Sequence, residues 1–474
     1  MRVRTRFAPS PTGEMHVGNA RTAVLNWLFA RRHGGQFVLR LEDTDVERTV
    51  PGAAERILEA LDWLGLDRDE DPVRGGPHAP YRQSEALPLY REAADRLVHA
   101  GAAYPCFCAA DPDLRRTDGG SDPVRLDPCR GLSPEQAREM RTEGRAAAIR
   151  LRVEAGRIAY VDLVKGELAV DGDDVEDFVL LRSDGTPTYH LAVVVDDARM
   201  EITHVIRAVG HLPNTPKQIL LYRALGLEPP HFAHIPTVLA PDGGKLSKRT
   251  GARGLLELRD EGFHPDAVLN YLSLLGWSSP SGEEIRSRGE LVREADLHRI
   301  GLTDVVMDPE KMRWMSAQHF RRLDEDALGE ALRAFAGTAA ATVEPVDWTA
   351  AAGLLHDRFS TLREAWEELR SLLEPPAGGA GGAAPGPAQA AVLAAVRHAW
   401  GEMATWDAEA LQDGLRRASE RVGVRGRDLY APVRQALTGR EQGPALPGLA
   451  RLLGRERCLD RLERRLASRA GGDD

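Results

Sequence analysis

Two periodicities divide the chain. From residue 3 to about 83, short apolar runs of strand length alternate with 3.6-residue patterns: VRTRF (3–7), a helix over 18–32, QFVLRLED (36–43) and a helix over 53–64. This alternation predicts a parallel sheet with crossover helices. A polar, mixed segment interrupts the pattern up to about residue 187. It then resumes with YHLAVVVDD (189–197), ITHVIRA (202–208) and a helix over 215–225. One α/β fold split by an insertion is the economical reading. From about residue 255 the period is helical to the last residue, broken by PPAGGAGGAAPGP (375–387), a Gly, Ala and Pro tract that cannot pack a core and reads as a linker.

A chain of 474 residues is too long for one typical core and implies three or four domains. Its hydrophobic fraction, 42%, is that of an ordinary globular protein. No charged-then-apolar leader precedes Val3 and no apolar run has membrane-spanning length, so cytoplasmic residence without a membrane partner is expected. Four cysteines without a disulfide spacing fit a reducing compartment. The net charge of -10 does not decide whether polyanions bind, because local fields do. Arg416, Arg417, Arg421, Arg425, Arg427, Arg434 and Arg440 make the C-terminal region a candidate basic contact face; a scattered, solvated arginine surface is the alternative. No internal repeat, GxGxxG fingerprint or Walker loop is present, which disfavours a dinucleotide enzyme or a P-loop ATPase.

Two short segments carry candidate chemistry. The first, RFAPSPTGEMHVG (6–18), runs from an extended stretch through a Pro-rich turn into a helix that starts near Gly18. Strand, turn, helix is phosphate-binding geometry, because a helix N-terminus offers unpaired N–H groups and a partial positive charge. His16 and Asn19 stand at that mouth. The second segment, KLSKR (245–249), puts Lys245, Lys248 and Arg249 on a Gly-flanked loop where a polyphosphate can be clamped. Lysine is scarce in this Arg-dominated chain, so two lysines here speak for a compact, flexible ammonium over any positive charge.

The two segments resemble the signature motifs of class I aminoacyl-tRNA synthetases, HVGN (16–19) standing where the family has its HIGH box. APSPTG (8–13), FVLRLEDTD (37–45), Tyr189 in TPTYHLAVVVDD, ITHVIR (202–207), NYLSLLGW (270–277) and PVRQALTGREQGP (432–444) narrow the resemblance to the glutamate-specific branch, over nearly the whole chain. The resemblance implies a Rossmann-type parallel-sheet catalytic domain in two parts, 1–83 and 188–253, around an acceptor-stem-binding insertion at 84–187. It further implies a helical stem-contact domain at 254–322 and an all-α anticodon-binding region, 323–374 and 388–474, about a linker at 375–387. The implied reaction is ATP-dependent ligation of L-glutamate to tRNA(Glu) through a glutamyl-adenylate, by a monomer, with ATP carried as its Mg2+ complex.

By the same analogy Arg6 with Tyr189 grips the γ-carboxylate, Glu42 the α-ammonium and Arg207 the remaining polar end. Ser10 joins the glutamate site, while Ala8, His16, Gly18, Asn19, Lys248 and Arg249 hold ATP. His16, Asn19, Lys245 and Lys248 act on the phosphates. In open α/β sheets ligands sit at the carboxyl ends of strands, and Arg6, Glu42, Tyr189 and Arg207 each fall at or near such an end on this reading.

Two places depart from the family pattern. Ala208, Val209 and Gly210 follow Arg207 where an acidic stretch is usual, leaving the ribose to backbone groups or to His211. Cys106, Cys108 and Cys129 resemble the family's optional Zn2+ knuckle, but no His lies near Cys129 and Arg125 replaces the Tyr of some relatives. Asp127 or water is then left to complete a tetrahedron. Cys458 reads as a packed helix residue. The alternatives to a working ligase are a weakened paralogue that binds tRNA or glutamate, and a supplier of glutamyl-tRNA dedicated to one pathway. The truncated synthetases that glutamylate a tRNA base lack the C-terminal half seen here.

Overall fold

The computed structural model describes residues 2–45, 48–108, 127–244, 246, 253–343, 345–374 and 384–468. The chain forms two compact units, Met1–Arg259 with Val268–Pro309 and Asp260–Ala267 with Glu310–Asp474.

The first unit begins with β1 (Arg4–Phe7), α1 (Val17–Arg32), β2 (Gln36–Leu39), α2 (Ala53–Trp63), α3 (Leu87–His99), β3 (Ala103–Cys106), α4 (Pro134–Thr142), β4 (Ala148–Leu151), β5 (Arg157–Asp162), β6 (Gly166–Asp171) and β7 (Val179–Leu181). It continues through α5 (Tyr189–Arg199), β8 (His204–Ala208), α6 (Thr215–Ala224), β9 (His231–Ile235), β10 (Val238–Leu239), α7 (Leu255–Asp260), α8 (Pro265–Leu274), α9 (Arg288–Glu294) and β11 (Val305–Val306). Its main sheet has the order β2-β1-β8-β9-β5-β6, parallel except for the β5–β6 hairpin. From β1 the chain crosses to β2 on one side, and β8 lies on the other. That reversal makes the carboxyl ends of β1 and β8 a topological switch point, the place where such sheets leave a crevice.

Three expectations need correction. YHLAVVVDD does not continue the strand pattern; it is the helix α5. The three valines favour a strand by propensity, but Tyr189, Val193, Asp196 and Asp197 fall on one helical stripe, and burying that stripe outweighs propensity. Tyr189 therefore opens a helix and is not at a strand end. Within the segment that interrupts the fold, β3, β4 and β7 form a separate antiparallel sheet, whereas β5 and β6 join the main sheet beside β9. The pattern after residue 255 is also not wholly helical, since β11 pairs in parallel with β10.

The second unit is helical, with α10 (Pro309–Phe320), α11 (Glu325–Ala336), α12 (Trp348–Leu355), α13 (Leu362–Leu373), α14 (Pro387–Gly401), α15 (Ala408–Val422), α16 (Arg427–Thr438), α17 (Leu446–Leu453) and α18 (Arg455–Ala467). Leucines of α11, α13, α15 and α17 share a core with Trp400 and Cys458, both fully buried. Most of the tract 375–387 lies outside the described residues, and Pro387 already opens α14, the position a helix tolerates best for proline.

Candidate functional site

The switch-point crevice is built on charge. Arg6, near the end of β1, is buried and its Nε donates to Asp197 of α5 at 3.1 Å. Arg40, just past β2 and fully buried, donates to the same carboxylate at 2.6 Å and to Glu42 at 3.1 Å. Asp196 receives Gln83 at 2.9 Å, Tyr90 at 2.8 Å and Arg199 at 3.1 Å. Burial pushes the Asp197 pKa up, but Arg40 and Arg6 outweigh it and hold the carboxyl below its usual range. For Glu42 burial wins over the pull of Arg40 and Arg6, and its pKa is raised. Asp197 orients Arg6 through Nε and leaves its two Nη groups without a hydrogen-bond partner among the described residues.

Arg207 of β8 differs from the others. It is 5% exposed, yet its described hydrogen-bond partners are all neutral: Nε to His234 at 3.1 Å, Nη1 to Tyr189 at 3.2 Å and Nη2 to Thr215 at 2.9 Å. Burial lowers its pKa. A buried guanidinium with no paired carboxylate is costly, and a site that keeps one is built to receive an anion. Tyr189 lies 3.1 Å from His211 Nδ1. Burial and the nearby Arg207 and Arg6 push the His211 pKa down to about 4, so the ring beside Tyr189 is neutral. His211, named from sequence as a ribose contact, is thus turned against Tyr189.

At the start of α1 the ring of His16 caps the helix, its Nδ1 accepting from Gly18 N–H at 3.1 Å and Asn19 N–H at 3.3 Å. Two of the amides expected to be open to phosphate are therefore occupied by His16 itself. The cap fixes the proton on Nε2, and burial keeps the ring neutral by lowering its pKa. A Cβ at Gly18 would lie 3.1 Å from the His16 ring, so any larger residue there presses on the cap. Asn19 and Ser10 are exposed, and Ala8 is half-buried on the turn after β1. Lys245, Lys248 and Arg249 lie outside the described residues. The chain just beyond them returns to the first segment: Gly254 bridges His16, and Leu255 N–H donates to Met15 at 2.9 Å.

A second cluster lies at the end of β3. The Cys106, Cys108 and Cys129 sulfurs and an Asp127 oxygen all fall within 4.8 Å of one another. Cys108 is 3.5 Å from Cys129, and Asp127 is 2.9 Å from Cys106. Asp127 also caps the turn that carries Cys129, accepting its N–H at 2.9 Å, so its position follows from local backbone. Burial and the neighbouring acids push the Cys106 and Cys108 thiols up. Three sulfurs and a carboxylate oxygen gathered within this distance make a four-donor set of the kind that can hold a metal ion.

The expected basic face of the C-terminal region is largely neutralised in place. Arg416 and Arg417 pair with Asp413, Arg416 also with Glu420, Arg427 with Glu441 and Arg440 with Glu368. Arg434 donates to the carbonyls of Pro444 and Glu441. Arg425 and Tyr430 line a hollow of about 790 Å3 between α15 and α16, and Arg313, Arg321 and Arg358 line another of about 670 Å3.

Sequence reasoning missed Arg40, Asp197, Thr215, His234 and Asp162. Arg40 and His234 left a trace, each a polar residue inside an otherwise apolar strand stretch, FVLRL and FAHI. Asp162 at the end of a polar hairpin left none.

The family model for the catalytic domain of class I tRNA synthetases (E and Q) matches residues 2–314, and that for an anticodon binding domain matches residues 317–466. Fold, switch-point site and both matches make the chain a class I tRNA synthetase of this branch. The glutamate–tRNA ligase of Symbiobacterium thermophilum is 40% identical over 98% of this chain and 99% of its own length, and that of Moorella thermoacetica 40% identical over 98% of each. A crystallised glutamate tRNA ligase from Elizabethkingia meningosepticum, in complex with its amino acid, superposes with a TM-score of 0.87 at 31% identity, covering 98% of this chain and 99% of that one. The chain belongs to the glutamate–tRNA ligase family.

Proposed function

We propose that the chain activates L-glutamate with ATP and transfers it to tRNA(Glu), and that the switch-point crevice is its glutamate site. The observation that carries this reading is Arg207, a buried guanidinium held by neutral partners only. With the free Nη groups of Arg6 and the phenol of Tyr189 it forms a pocket for a carboxylate, while the carboxylate of Glu42 stands ready for the ammonium. Glutamine presents amide donors to these donors and is rejected, since leaving a buried charge unpaired costs roughly 3 to 5 kcal/mol.

The chemistry needs no protein nucleophile. The α-carboxylate of glutamate attacks the α-phosphorus of ATP in line, forming the mixed anhydride and expelling pyrophosphate. A ribose hydroxyl of the terminal adenosine of the tRNA then attacks the activated carbonyl and expels AMP. Positioning and charge stabilisation supply the catalysis. Mg2+ bound with ATP neutralises its phosphates. The Nε2–H of His16, Asn19 and the cations Lys245, Lys248 and Arg249 bear on the phosphates, and Leu255, six residues beyond Arg249, is bonded to Met15 beside His16. Zn2+ on Cys106, Cys108, Asp127 and Cys129 would be structural, tying the end of β3 to the turn that holds Cys129. The residues 84–187 and the Arg-lined hollows of the second unit offer surface for the acceptor end and the anticodon.

Glutamate-dependent exchange of pyrophosphate into ATP, measured with and without tRNA, tests the reading. Exchange with glutamate but not glutamine supports it, including exchange that needs tRNA. No exchange under either condition, with tRNA still bound, would identify an inactive paralogue instead.

A further inference from the structure

The guanidinium of Arg207 is held from behind by a relay that begins in the interrupting segment. Asp162, the last residue of β5, is buried. Its Oδ1 accepts three backbone N–H groups, from Val164 at 3.0 Å, Lys165 at 2.8 Å and His234 at 3.2 Å. Its Oδ2 is left for the ring of His234, 2.6 Å from Nδ1. A carboxylate can only accept, so Nδ1 carries the proton and Nε2 presents its lone pair. That lone pair faces the Nε–H of Arg207 at 3.1 Å and the Thr215 hydroxyl at 3.1 Å. His234 is fully buried on β9.

We propose that Asp162 is a positioning residue for the amino-acid substrate: it fixes the tautomer of His234, and through it the orientation of the Arg207 guanidinium. Neither Asp162 nor His234 touches glutamate. The inference rests on the reading of Arg207 as a glutamate ligand. It also gives β5 a task, because the hairpin that the interrupting segment adds to the sheet delivers the carboxylate that sets the site.

The substitution Asp162→Asn separates this from packing. Its amide keeps the shape, and its oxygen is claimed by the three backbone N–H groups, so the NH2 must face Nδ1. The His234 proton then moves to Nε2, where it meets the Nε–H of Arg207 donor against donor. The expected result is a KM for glutamate raised about 10- to 100-fold in the exchange assay, with the KM for ATP within about twofold. His234→Gln retains a donor for Asp162 and an acceptor for Arg207 and stays near the wild-type KM for glutamate, whereas His234→Leu raises it as Asp162→Asn does. An unchanged KM for glutamate in folded Asp162→Asn overturns the proposal. Should that variant not fold, equal behaviour of His234→Gln and His234→Leu overturns it, and a gap between them sustains it. Arg207→Met keeps the two readings apart: if it leaves the KM for glutamate unchanged, the glutamate-site reading itself falls; if it raises the KM while Asp162→Asn does not, only the relay falls.

Discussion

The backbone N–H of Leu255 donates to the carbonyl of Met15 at 2.9 Å, and Gly254 bridges His16 beside it. Lys248 and His16 are 232 residues apart in the chain, but Gly254, six residues after Lys248, bridges His16 at the mouth of α1. Lys248→Ala is expected to slow glutamate-dependent exchange by about 100- to 1000-fold, the usual cost of one transition-state donor. Its KM for glutamate should stay near the wild-type value, because the site around Arg207 is untouched. Steady-state exchange kinetics check this, and near-normal adenylate formation would remove Lys248 from the mechanism.

Arg207 sets a stability cost against a binding gain. Its described hydrogen-bond partners are neutral and leave a buried charge uncompensated, a gap the proposed glutamate carboxylate would fill, and burial already lowers its pKa. Arg207→Met removes that charge, so the protein should melt within a few degrees of the wild type. Its KM for glutamate should rise at least about 100-fold. Saturating glutamate should raise the melting temperature of the wild type and leave that of the variant unmoved, since only a ligand bound to the folded state stabilises it. Thermal scans with and without glutamate read both effects, and a variant still stabilised by glutamate contradicts the role given to Arg207.

Much of this site is legible in the sequence for a physical reason. β1, the turn after it and α1 are made by local signals, an extended run, a Pro-rich turn and a helix with a capping side chain, so Arg6, His16 and Asn19 could be placed from neighbouring residues alone. Arg207 at the end of a β-branched run was legible in the same way. Residues whose role comes from tertiary pairing were not. Asp196 and Asp197 sit in a valine-rich run that reads as a strand, and their buried pairing with Arg40 and Arg6 on other elements is what a local reading cannot show. The arginines near the C-terminus looked like a basic face because a sequence does not show that Asp413, Glu368 and Glu441 neutralise them. Asp127 was left open beside water as a fourth ligand; the turn that brings it to the sulfurs depends on its own side chain capping Cys129.

The cysteine cluster predicts a bound metal. Protein purified without chelator is expected to carry one zinc per chain by elemental analysis. Asp127→Ala removes both a donor and the cap of the Cys129 turn, so it should weaken retention of the metal. Cys108→Ser should do the same while leaving the cap intact. Removing zinc with a chelator should lower the melting temperature, because the site joins β3 to a turn that packs against the small cluster around Tyr104, Phe107 and Ala137. Metal-free protein that melts unchanged would deny the site a structural role.

Acid sensitivity should begin well above the range where carboxylates titrate. Burial, helped by nearby cations, pushes His190, His204, His211 and His319 down to about 4, each from an ordinary value of 6.5. A depressed folded value means that, between pH 6.5 and about 4, the unfolded chain binds protons that the folded chain refuses. Stability is then whole above pH 6.5 and is lost as the pH falls through that window. Asp197 and Asp162, both held below the usual carboxylate range, add to the loss only below about pH 4. The melting temperature should fall steadily from pH 6.5 to 4.5. His190→Gln should flatten the slope most cleanly, because the His190 Nδ1 is buried without a hydrogen-bond partner and its ring cannot be protonated without disturbing its surroundings. Calorimetric scans at half-unit steps measure the slope; a melting temperature that holds level down to pH 4.5 would mean these histidines protonate freely in the folded protein.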